Sequence, residues 1–296
     1  MREMRHVSLF DLQLPGLSVL HPVRAGHATS RRAREAVLTP TPPSAQYIVR
    51  AAVAPLHAGP SAATPLVSQR VAGQVLTELE RDPGGGWLRV VGSDDYAGWV
   101  HRGYLAPVVE ISGGPAMVSL GCAVVAANDP ARVRRPLPLG ATLAASEVCV
   151  EGRAVAAAEI PHLFPRDPTA VTQSARELFA GTSYLWGGVT PWGADCSGFV
   201  QTVFGLHGVA LPRDAWQQAM VGTDAGTDPL RVAPAGLLFF SERDDGRVTH
   251  VGISVGDSAM AHVALGRGGH AIDRLSADDP YVTALVTRFR FARRVM

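Results

Sequence analysis

The sequence predicts an α+β fold for its carboxyl-terminal part, preceded by small β-rich segments. Residues 171–179 and 199–206 carry apolar side chains at helical spacing, whereas residues 248–255 and 260–263 are rich in β-branched and apolar residues and surround a turn. Helices followed by antiparallel strands are typical of an α+β fold. Short alternating runs with turn residues between positions 46 and 108 are typical of a small β-barrel.

The composition is that of an ordinary globular protein. Of the 296 residues, 47% are hydrophobic and 18% are charged, which suffices for two or three domains with a sizeable core. The net charge of +1 argues against strong attraction to nucleic acid or anionic lipid. No run reaches the roughly 20 apolar residues of a membrane span. The three cysteines do not make a disulfide framework, and no CxxC or HExxH spacing indicates a metal site.

Residues 1–45 are interpreted as an amino-terminal extension and linker. A basic start followed by apolar residues resembles a secretory signal, but Asp11, Gln13 and Pro15 interrupt the apolar region. A proline-rich stretch at 39–44 reads as an extended linker. We therefore expect a cytoplasmic protein, with export to the cell envelope or periplasm as the alternative.

Residues 46–108 and 109–159 predict two small barrels. The pattern around Trp87 and residues 96–100 resembles bacterial SH3-like domains, and we interpret Trp87 and Trp99 as core. Residues 109–159 carry three strand candidates, which favour a second, diverged SH3-like barrel acting as a spacer. Cys122 and Cys149 lie among small apolar residues there and are interpreted as core thiols. Prolines space a connection at 160–169, so the last domain is expected at 170–296.

Cys196 is the candidate nucleophile of that last domain. It follows a loop rich in glycine and tryptophan and precedes the apolar-periodic run from Phe199. A cysteine at a helix start meets free N–H groups and the positive end of the helix dipole, so we expect the pKa of its thiol to be lowered. The alternative is a buried, inert cysteine.

Two histidines downstream supply a candidate base. His250 begins one predicted strand, Gly256 and Asp257 form a turn, and His262 lies on the returning strand. A hairpin centred on that turn brings His262 within about a residue of lying opposite His250. One imidazole can then take the thiol proton while the second group orients the first.

Five blocks of the sequence resemble the NlpC-type papain-like cysteine peptidases of bacterial peptidoglycan. They lie at residues 184–188, 195–199, 211–214, 250–253 and 260–262, in the order and at the spacing of that family. The resemblance covers about residues 170–296. It implies Cys196 as nucleophile, His250 as general base and acid, and His262 as the orienting residue. It also implies a peptidoglycan-derived substrate, cleaved between γ-D-glutamate and a diamino acid.

The resemblance also suggests the remaining residues of the cleft. Tyr184 lies beside the nucleophile and is a candidate oxyanion donor together with the Cys196 N–H, the alternative being a packing role. Asp195 and Ser197 flank the nucleophile and can bond a ligand or the helix start. Trp186 could wall the pocket or belong to the core.

The pair Arg213–Asp214 stands before a predicted helix. The resemblance implies that Asp214 binds the free α-amine of an N-terminal L-alanine, the alternative being a helix N-cap. Buried opposite charges are costly unless they are used, so Arg213 joins the predicted substrate-binding set. In peptidases of this architecture a tyrosine before the last barrel strand helps close the cleft. Tyr96 matches that position, and a plain exposed tyrosine is the alternative.

Three functions compete at this point. The first is an endopeptidase acting on free stem peptides with an unblocked L-alanine. The second is a hydrolase of intact wall peptides anchored by its barrels, and the third is a non-catalytic wall-binding module. No cofactor is expected, because a thiol and an imidazole suffice, and we expect a monomer. His207, His270 and Asp273 match no motif and are interpreted as ordinary surface or core residues.

Overall fold

The computed structural model describes residues 45–108, 116–128 and 131–296. Apart from residue 45, the predicted extension and its signal-like start lie outside these residues. Within the described ranges, no helix has both the length and the apolar character that crossing a membrane requires.

The first domain is one antiparallel sheet of seven strands with the order β3-β2-β6-β5-β4-β1-β7. The strands are β1 Gln46–Val49, β2 Val53–His57, β3 Leu66–Val71, β4 Val75–Arg81, β5 Trp87–Val91, β6 Ala97–His101 and β7 Leu105–Pro107. Aliphatic side chains fill its core. Among the described residues the two end strands, β3 and β7, are not paired with each other, so the predicted barrel is not closed.

Neither Trp87 nor Trp99 is a core residue, in contrast to the sequence-based interpretation. Along a strand, successive side chains point to opposite faces. On β5 the buried positions are Leu88 and Val90, so Trp87 lies on the other face, where it packs between the rings of two histidines. On β6 the buried positions are Gly98 and Val100, which puts Trp99 on the outer face as well.

The second predicted barrel is not found in the described residues. Instead, three strands form a small antiparallel sheet with the order β10-β8-β9. They are β8 Met117–Ala126, β9 Arg135–Leu137 and β10 Glu147–Ala156. One apolar cluster joins this sheet to Val71 and Ala72 of the first domain. Three strands are too few to enclose a core of their own, so the sheet completes its core against its neighbour. Cys122 is buried there, Cys149 is half-buried, and both thiols are free.

The remaining chain forms an α+β domain around a six-stranded antiparallel sheet with the order β13-β18-β14-β15-β16-β17. Its helices are α1 Ile160–Leu163, α2 Pro168–Glu177, α3 Cys196–Leu206, α4 Ala215–Gln218 and α5 Pro280–Thr287. Its strands are β11 Val189–Thr190, β12 Gly193–Ala194, β13 Thr223–Asp224, β14 Leu237–Phe240, β15 His250–Gly256, β16 Ala259–Ala264, β17 Gly269–Arg274 and β18 Phe289–Arg294. Strands β11 and β12 pair as a separate two-stranded ribbon.

The two faces of the six-stranded sheet bury different helices. Helices α2 and α3 contact β15 and β16 and share with them the larger apolar core. The other face packs Leu238, Phe240 and Met260 against Leu285 of α5. The sheet is therefore buried on both faces, and the start of α3 lies against β15.

The β15–β16 hairpin differs slightly from the predicted register. Ile253 pairs with Ala261 and Ser254 with Met260, after which a bulge shifts the pairing before the turn. Extended along the strands, this register makes His250 and His262 diagonal neighbours, two residues from lying directly opposite. The turn residues Asp257 and Ser258 both have positive φ, which suits the right-handed twist of a tight hairpin.

Candidate active site

Cys196 is the first residue of α3, and Asp195 caps that helix. The Asp195 Oδ1 accepts a hydrogen bond from the Gly198 N–H at 2.7 Å, which holds the first turn in place. A Cβ atom on Gly198 would lie 2.1 Å from the carbonyl oxygen of Gly188. Glycine at position 198 therefore lets the preceding glycine-rich loop pack directly against the helix start.

The thiol of Cys196 is protonated at neutral pH, contrary to the sequence-based expectation. Burial, together with the negative charge of Asp195, raises the pKa of Cys196 to about 12. The backbone N–H groups of Val251 and Ser197 and the charge of Arg213 act in the opposite direction without prevailing. The residue is only 8% exposed, so desolvation of the thiolate outweighs the helix dipole. A base is consequently needed to generate the nucleophile.

His250 and His262 contact each other at the end of the β15–β16 hairpin away from its turn. The His250 Nε2 and the His262 Nδ1 are 2.8 Å apart, and the two rings pack edge to face. His250 precedes Val251, whose N–H acts on the Cys196 thiol, so the nucleophile and this imidazole belong to the same site. Burial and the nearby His262 hold the pKa of His250 well below its ordinary value. His250 is therefore a neutral imidazole at pH 7 and can accept a proton.

Behind His262, the hydrogen-bonded chain continues to Asp273. His262 is fully buried, and its Nε2 is 2.9 Å from the Asp273 Oδ2. Asp273 is 8% exposed and also accepts two hydrogen bonds from Arg267, so it is not an ordinary surface or core residue. In the described part of the chain, no group of three or more His, Cys, Asp and Glu residues is arranged to hold a metal ion.

Tyr184 lies in the glycine loop beside the nucleophile. Burial and the charges at Cys196 and Asp195 raise the pKa of its phenol, so the hydroxyl keeps its proton. The ring packs against the main core of the domain. Both predicted roles, oxyanion donor and packing residue, are compatible with this position.

Arg213, Asp195 and Ser197 form a buried polar network under the nucleophile. The Arg213 guanidinium donates to both Asp195 oxygens, at 3.0 and 2.7 Å, and to the Ser197 Oγ at 2.8 Å. Arg213 is 1% exposed. The Asp195 Oδ2 accepts a further hydrogen bond from the Gly187 N–H at 2.8 Å. These polar atoms are paired with one another, so the structure supports a positioning role, and their contact with substrate stays a prediction.

The first domain contributes directly to this network. The Arg213 Nε donates to the Ser68 Oγ at 3.0 Å, and Ser68 is fully buried. Gln69 accepts a hydrogen bond from the Val189 N–H at 3.2 Å. Gln201 on α3 donates to Asp94, which is also paired with a buried arginine of the first domain. The elements that carry Cys196 are thus hydrogen-bonded to the first domain.

Asp214 is half-buried where the two domains meet, and its carboxylate has uncharged hydrogen-bonding partners. Its Oδ2 accepts from the Trp216 Nε1 at 3.2 Å, and the Tyr96 hydroxyl hydrogen-bonds it from the first domain. Burial and the adjacent Asp214 raise the pKa of Tyr96, so its hydroxyl remains a donor. Asp214 is also the N-cap of α4, as the alternative prediction has it, and its backbone N–H donates to the Gln217 Oε1 at 3.1 Å.

Trp186 is the most exposed member of the predicted site. It is 62% exposed on the glycine loop, which excludes the core alternative for this residue. Trp192, at 52%, is a second exposed tryptophan of the same loop. Both indoles offer apolar surface in the segment that precedes Cys196.

Sequence reasoning missed Asp273, Arg267, Ser68 and Trp216. A signal for Asp273 existed, since the strand after His262 returns antiparallel and Asp273 is two residues from the partner of His262. A serine on a strand of another domain gives no comparable signal, because its contact with Arg213 spans 145 residues of sequence. The other two histidines without motif have structural partners: His207 contacts the Pro165 carbonyl and Ser174, and His270 contacts the Ala175 carbonyl.

A thiol at a helix start beside a histidine pair on an antiparallel sheet defines a papain-like thiol hydrolase. Comparison with protein-family models makes this specific. Residues 181–290 match the NlpC/P60 family, and residues 52–106 match the bacterial SH3 domain. The chain therefore carries an NlpC/P60 domain, which belongs to a family of peptidoglycan-related cysteine peptidases, together with a bacterial SH3 domain.

Individual relatives agree with these matches. The chain is 42% identical over 86 residues to a Bacillus subtilis (strain 168) protein named gamma-D-glutamyl-L-lysine dipeptidyl-peptidase, covering 29% of this chain and 28% of that one. It is 37% identical over 102 residues to the probable endopeptidase NlpC of Escherichia coli K12, covering 34% and 63%. The aligned region thus spans less than a third of the first relative.

The architecture extends beyond these segments. The crystal structure of an NlpC/P60 family protein from Bacillus cereus ATCC 10987 superposes with a TM-score of 0.68 at 17% identity, covering 84% of this chain and 99% of that one. At this identity the likeness concerns the fold.

Proposed function

We propose that this protein is a cysteine endopeptidase that hydrolyses the γ-D-glutamyl–diamino acid bond of peptidoglycan stem peptides carrying a free N-terminal L-alanine. The observation that carries the proposal is the protonated Cys196 thiol at a helix start, in one site with the neutral His250 imidazole, whose Nε2 is 2.8 Å from the His262 Nδ1. The names of the Bacillus relatives, which specify a gamma-D-glutamyl-L-lysine dipeptidyl-peptidase, support the bond.

In the proposed reaction His250 takes the thiol proton as Cys196 Sγ attacks the γ-carbonyl carbon of D-glutamate. The developing oxyanion is stabilised by the Cys196 N–H and by the Tyr184 hydroxyl, which burial keeps protonated. His250 then protonates the leaving amine, and a thioester remains on Cys196. A water molecule, deprotonated by His250, hydrolyses the thioester and restores the thiol.

Asp214 is the proposed site for the free α-amine of the substrate. It lies next to Arg213, which contacts Asp195 and Ser197 on either side of the nucleophile. The hydrogen-bond donors to its carboxylate, an indole and a phenol, are uncharged and leave its negative charge available to an ammonium group. Tyr96, which belongs to the SH3 domain, would close the cleft at this end. The exposed Trp186 would form one of its walls.

Two alternatives remain for the whole protein. A hydrolase of intact wall peptides would use the SH3 domain as an anchor and would accept a blocked L-alanine. A non-catalytic wall-binding module would not need Cys196, His250 and His262 to be assembled. The hydrogen bonds that Gln201 of α3 and Arg213 donate to the SH3 domain favour the first function over these two, since they hold the SH3 domain against the elements that carry Cys196 and Asp214.

We further propose that the protein acts as a monomer in the cytoplasm on released peptides, with export to the cell envelope as the alternative. An unblocked L-alanine is produced when stem peptides are detached from the glycan. A protein selective for it needs no access to the intact wall.

Two matched peptides test the function. L-Ala-γ-D-Glu-L-Lys and its N-acetylated form are incubated with the protein and with Cys196→Ala, followed by mass spectrometry, and diaminopimelate replaces lysine in a second pair. Cleavage of the free peptide alone supports the proposal. Equal cleavage of both peptides supports the wall hydrolase. If neither peptide is cut, the γ-D-glutamyl assignment is wrong.

A further inference from the structure

We infer that Asp273 is a positioning residue for catalysis, which sets the proton arrangement of His262 and, through it, of His250. This inference deepens the proposed function, because it concerns the same site. It rests on two consecutive contacts: Asp273 Oδ2 to His262 Nε2 at 2.9 Å, and His262 Nδ1 to His250 Nε2 at 2.8 Å.

The first step is the state of the carboxyl group. Burial acts to raise the pKa of Asp273, but the hydrogen bonds from His262 and Arg267 outweigh it and hold the pKa below its usual value. Arg267 donates to both carboxylate oxygens, at 3.1 and 2.8 Å, and also to Asp279 at 3.1 Å. Asp273 is therefore an anion, and an anion can only accept hydrogen bonds.

The second step is the direction of each hydrogen bond. Because Asp273 can only accept, His262 must carry a proton on Nε2. In the neutral form of His262 with this proton, Nδ1 is bare and can only accept a hydrogen bond. His250 must therefore donate its Nε2–H to His262, and its own Nδ1 is left bare. That bare nitrogen is the one available to take the Cys196 proton, and no proton has to reach Asp273 for it to do so.

The third step is the rigidity of the carboxylate. The Arg267 guanidinium lies 4.4 Å from the centre of the Tyr281 ring, and Asp279 caps α5 by accepting from the Val282 N–H at 2.9 Å. Arg267, which holds the Asp273 carboxylate, is thus fixed in turn by α5, the helix on the opposite face of the sheet from α2 and α3. Asp273 is only 8% exposed, so water does not compete for the hydrogen bond from His262.

The groups facing His262 come from several elements. They are His250 on β15, Asp273 on β17 and Tyr281 on α5. Burial and the nearby His262 lower the pKa of His270, and Arg267 contacts Asp273. Asp273 is the anion directly bonded to the ring. Neutralising it should change the tautomer of His262 more than any other single change outside the two histidines.

The test begins with the wild-type full chain. Nitrogen-15 NMR correlations of the histidine rings report which nitrogen carries each proton. The inference requires the Nε2–H form for both His262 and His250 in the resting protein. An Nδ1–H form for His262 would overturn it, and this readout needs no variant and no substrate.

Asp273→Asn provides the second readout, using iodoacetamide as probe and mass spectrometry to follow each cysteine. We expect mixed tautomers at His262 and a fall in Cys196 alkylation at pH 7 of about 10- to 100-fold, the range known for outer partners that orient metal-binding histidines. Cys149, half-buried on β10 of the three-stranded sheet, is an internal control whose alkylation should not change. Unchanged tautomers and an unchanged pH profile at Cys196 would reduce Asp273 to a structural role.

A double-mutant cycle separates the two roles further. In His262→Asn the amide oxygen can accept from His250 whatever the state of Asp273. If Asp273 acts through His262, adding Asp273→Asn to that variant should change Cys196 alkylation less than threefold. An additive loss would contradict the inference. Because the probe is iodoacetamide, these outcomes are independent of whether the protein cleaves γ-D-glutamyl peptides.

Discussion

Two aspartates at helix starts, Asp195 before α3 and Asp214 before α4, have opposite surroundings. Asp195 is 7% exposed, and its two oxygens are paired with the Arg213 guanidinium and with backbone N–H groups. Asp214 is half-buried and receives hydrogen bonds from the uncharged side chains of Trp216 and Tyr96. A carboxylate already neutralised by arginine supports the nucleophile's helix. The carboxylate held by neutral donors is the one proposed to bind the substrate amine.

Arg213→Met should have the largest effect, because it leaves the buried Asp195 carboxylate without its cation. Removal of one partner of a buried ion pair costs about 3–5 kcal/mol in stability. Denaturant unfolding should show this loss, and Arg166→Met, at an exposed arginine, is the matched control. A variant as stable as the wild type would mean that Asp195 and Arg213 are not coupled as described.

Asp214→Asn should leave stability nearly unchanged but remove selectivity for a free amine. A hydrogen bond to a charged group is worth about 1.5–3 kcal/mol, which corresponds to about 10- to 100-fold in kcat/KM. The measured quantity is the ratio of kcat/KM for the free and N-acetylated peptides. Asp195→Asn should lower stability without selectively changing that ratio. Retention of the ratio in Asp214→Asn would place the amine elsewhere.

Ser68→Ala should destabilise the protein moderately and leave the substrate ratio intact. The change removes the acceptor of the Arg213 Nε–H and leaves a buried donor unpaired, which costs about 1–3 kcal/mol. Ser93→Ala, at an exposed serine of the same domain, is the control for thermal unfolding. Equal melting temperatures for the two variants would argue against a tie between the domains at this point.

Trp216→Phe should have the smallest effect. It keeps an aromatic ring beneath Arg247, whose guanidinium lies 4.9 Å from the indole, but removes the Nε1–H donor to Asp214. A neutral hydrogen bond contributes about 0.5–1.5 kcal/mol, so kcat/KM for the free peptide should change about 2- to 10-fold. Trp192→Phe, at an exposed tryptophan of the glycine loop, should leave kcat/KM for the free peptide unchanged. A similar loss in both variants would indicate a general effect of tryptophan replacement.

The parts of the site that lie within one motif could be predicted from the sequence. Cys196 at a helix start and two histidines on a hairpin are both local patterns, and local hydrogen bonding and strand alternation determine them. The contact of the two rings was expected, although His262 lies two residues from the position opposite His250 and not within about one. Diagonal neighbours on adjacent strands are farther apart than opposite ones but are still within reach of aromatic side chains.

The properties that depend on tertiary burial could not be predicted. A helix start favours a thiolate, but the pKa of Cys196 is raised because the fold buries the thiol against β15. Trp87 and Trp99 are strong core candidates by composition, yet strand alternation turns them outward. The prediction of a second barrel was wrong for a related reason. The described strands of that segment have ordinary strand patterns, but they complete an apolar core with Val71 and Ala72 of the first domain and do not enclose a separate one.

The NlpC/P60 domain donates hydrogen bonds to Ser68, Gln69 and Asp94 of the SH3 domain, and these contacts limit its use as an isolated fragment. A fragment beginning after the three-stranded sheet would retain Cys196, His250 and His262, but Arg213 and Val189 would each lose a partner. Such a fragment would contain all three predicted catalytic residues but would lack the hydrogen bonds that hold their supporting elements in place. A chimera should therefore exchange residues 46–296 as one piece.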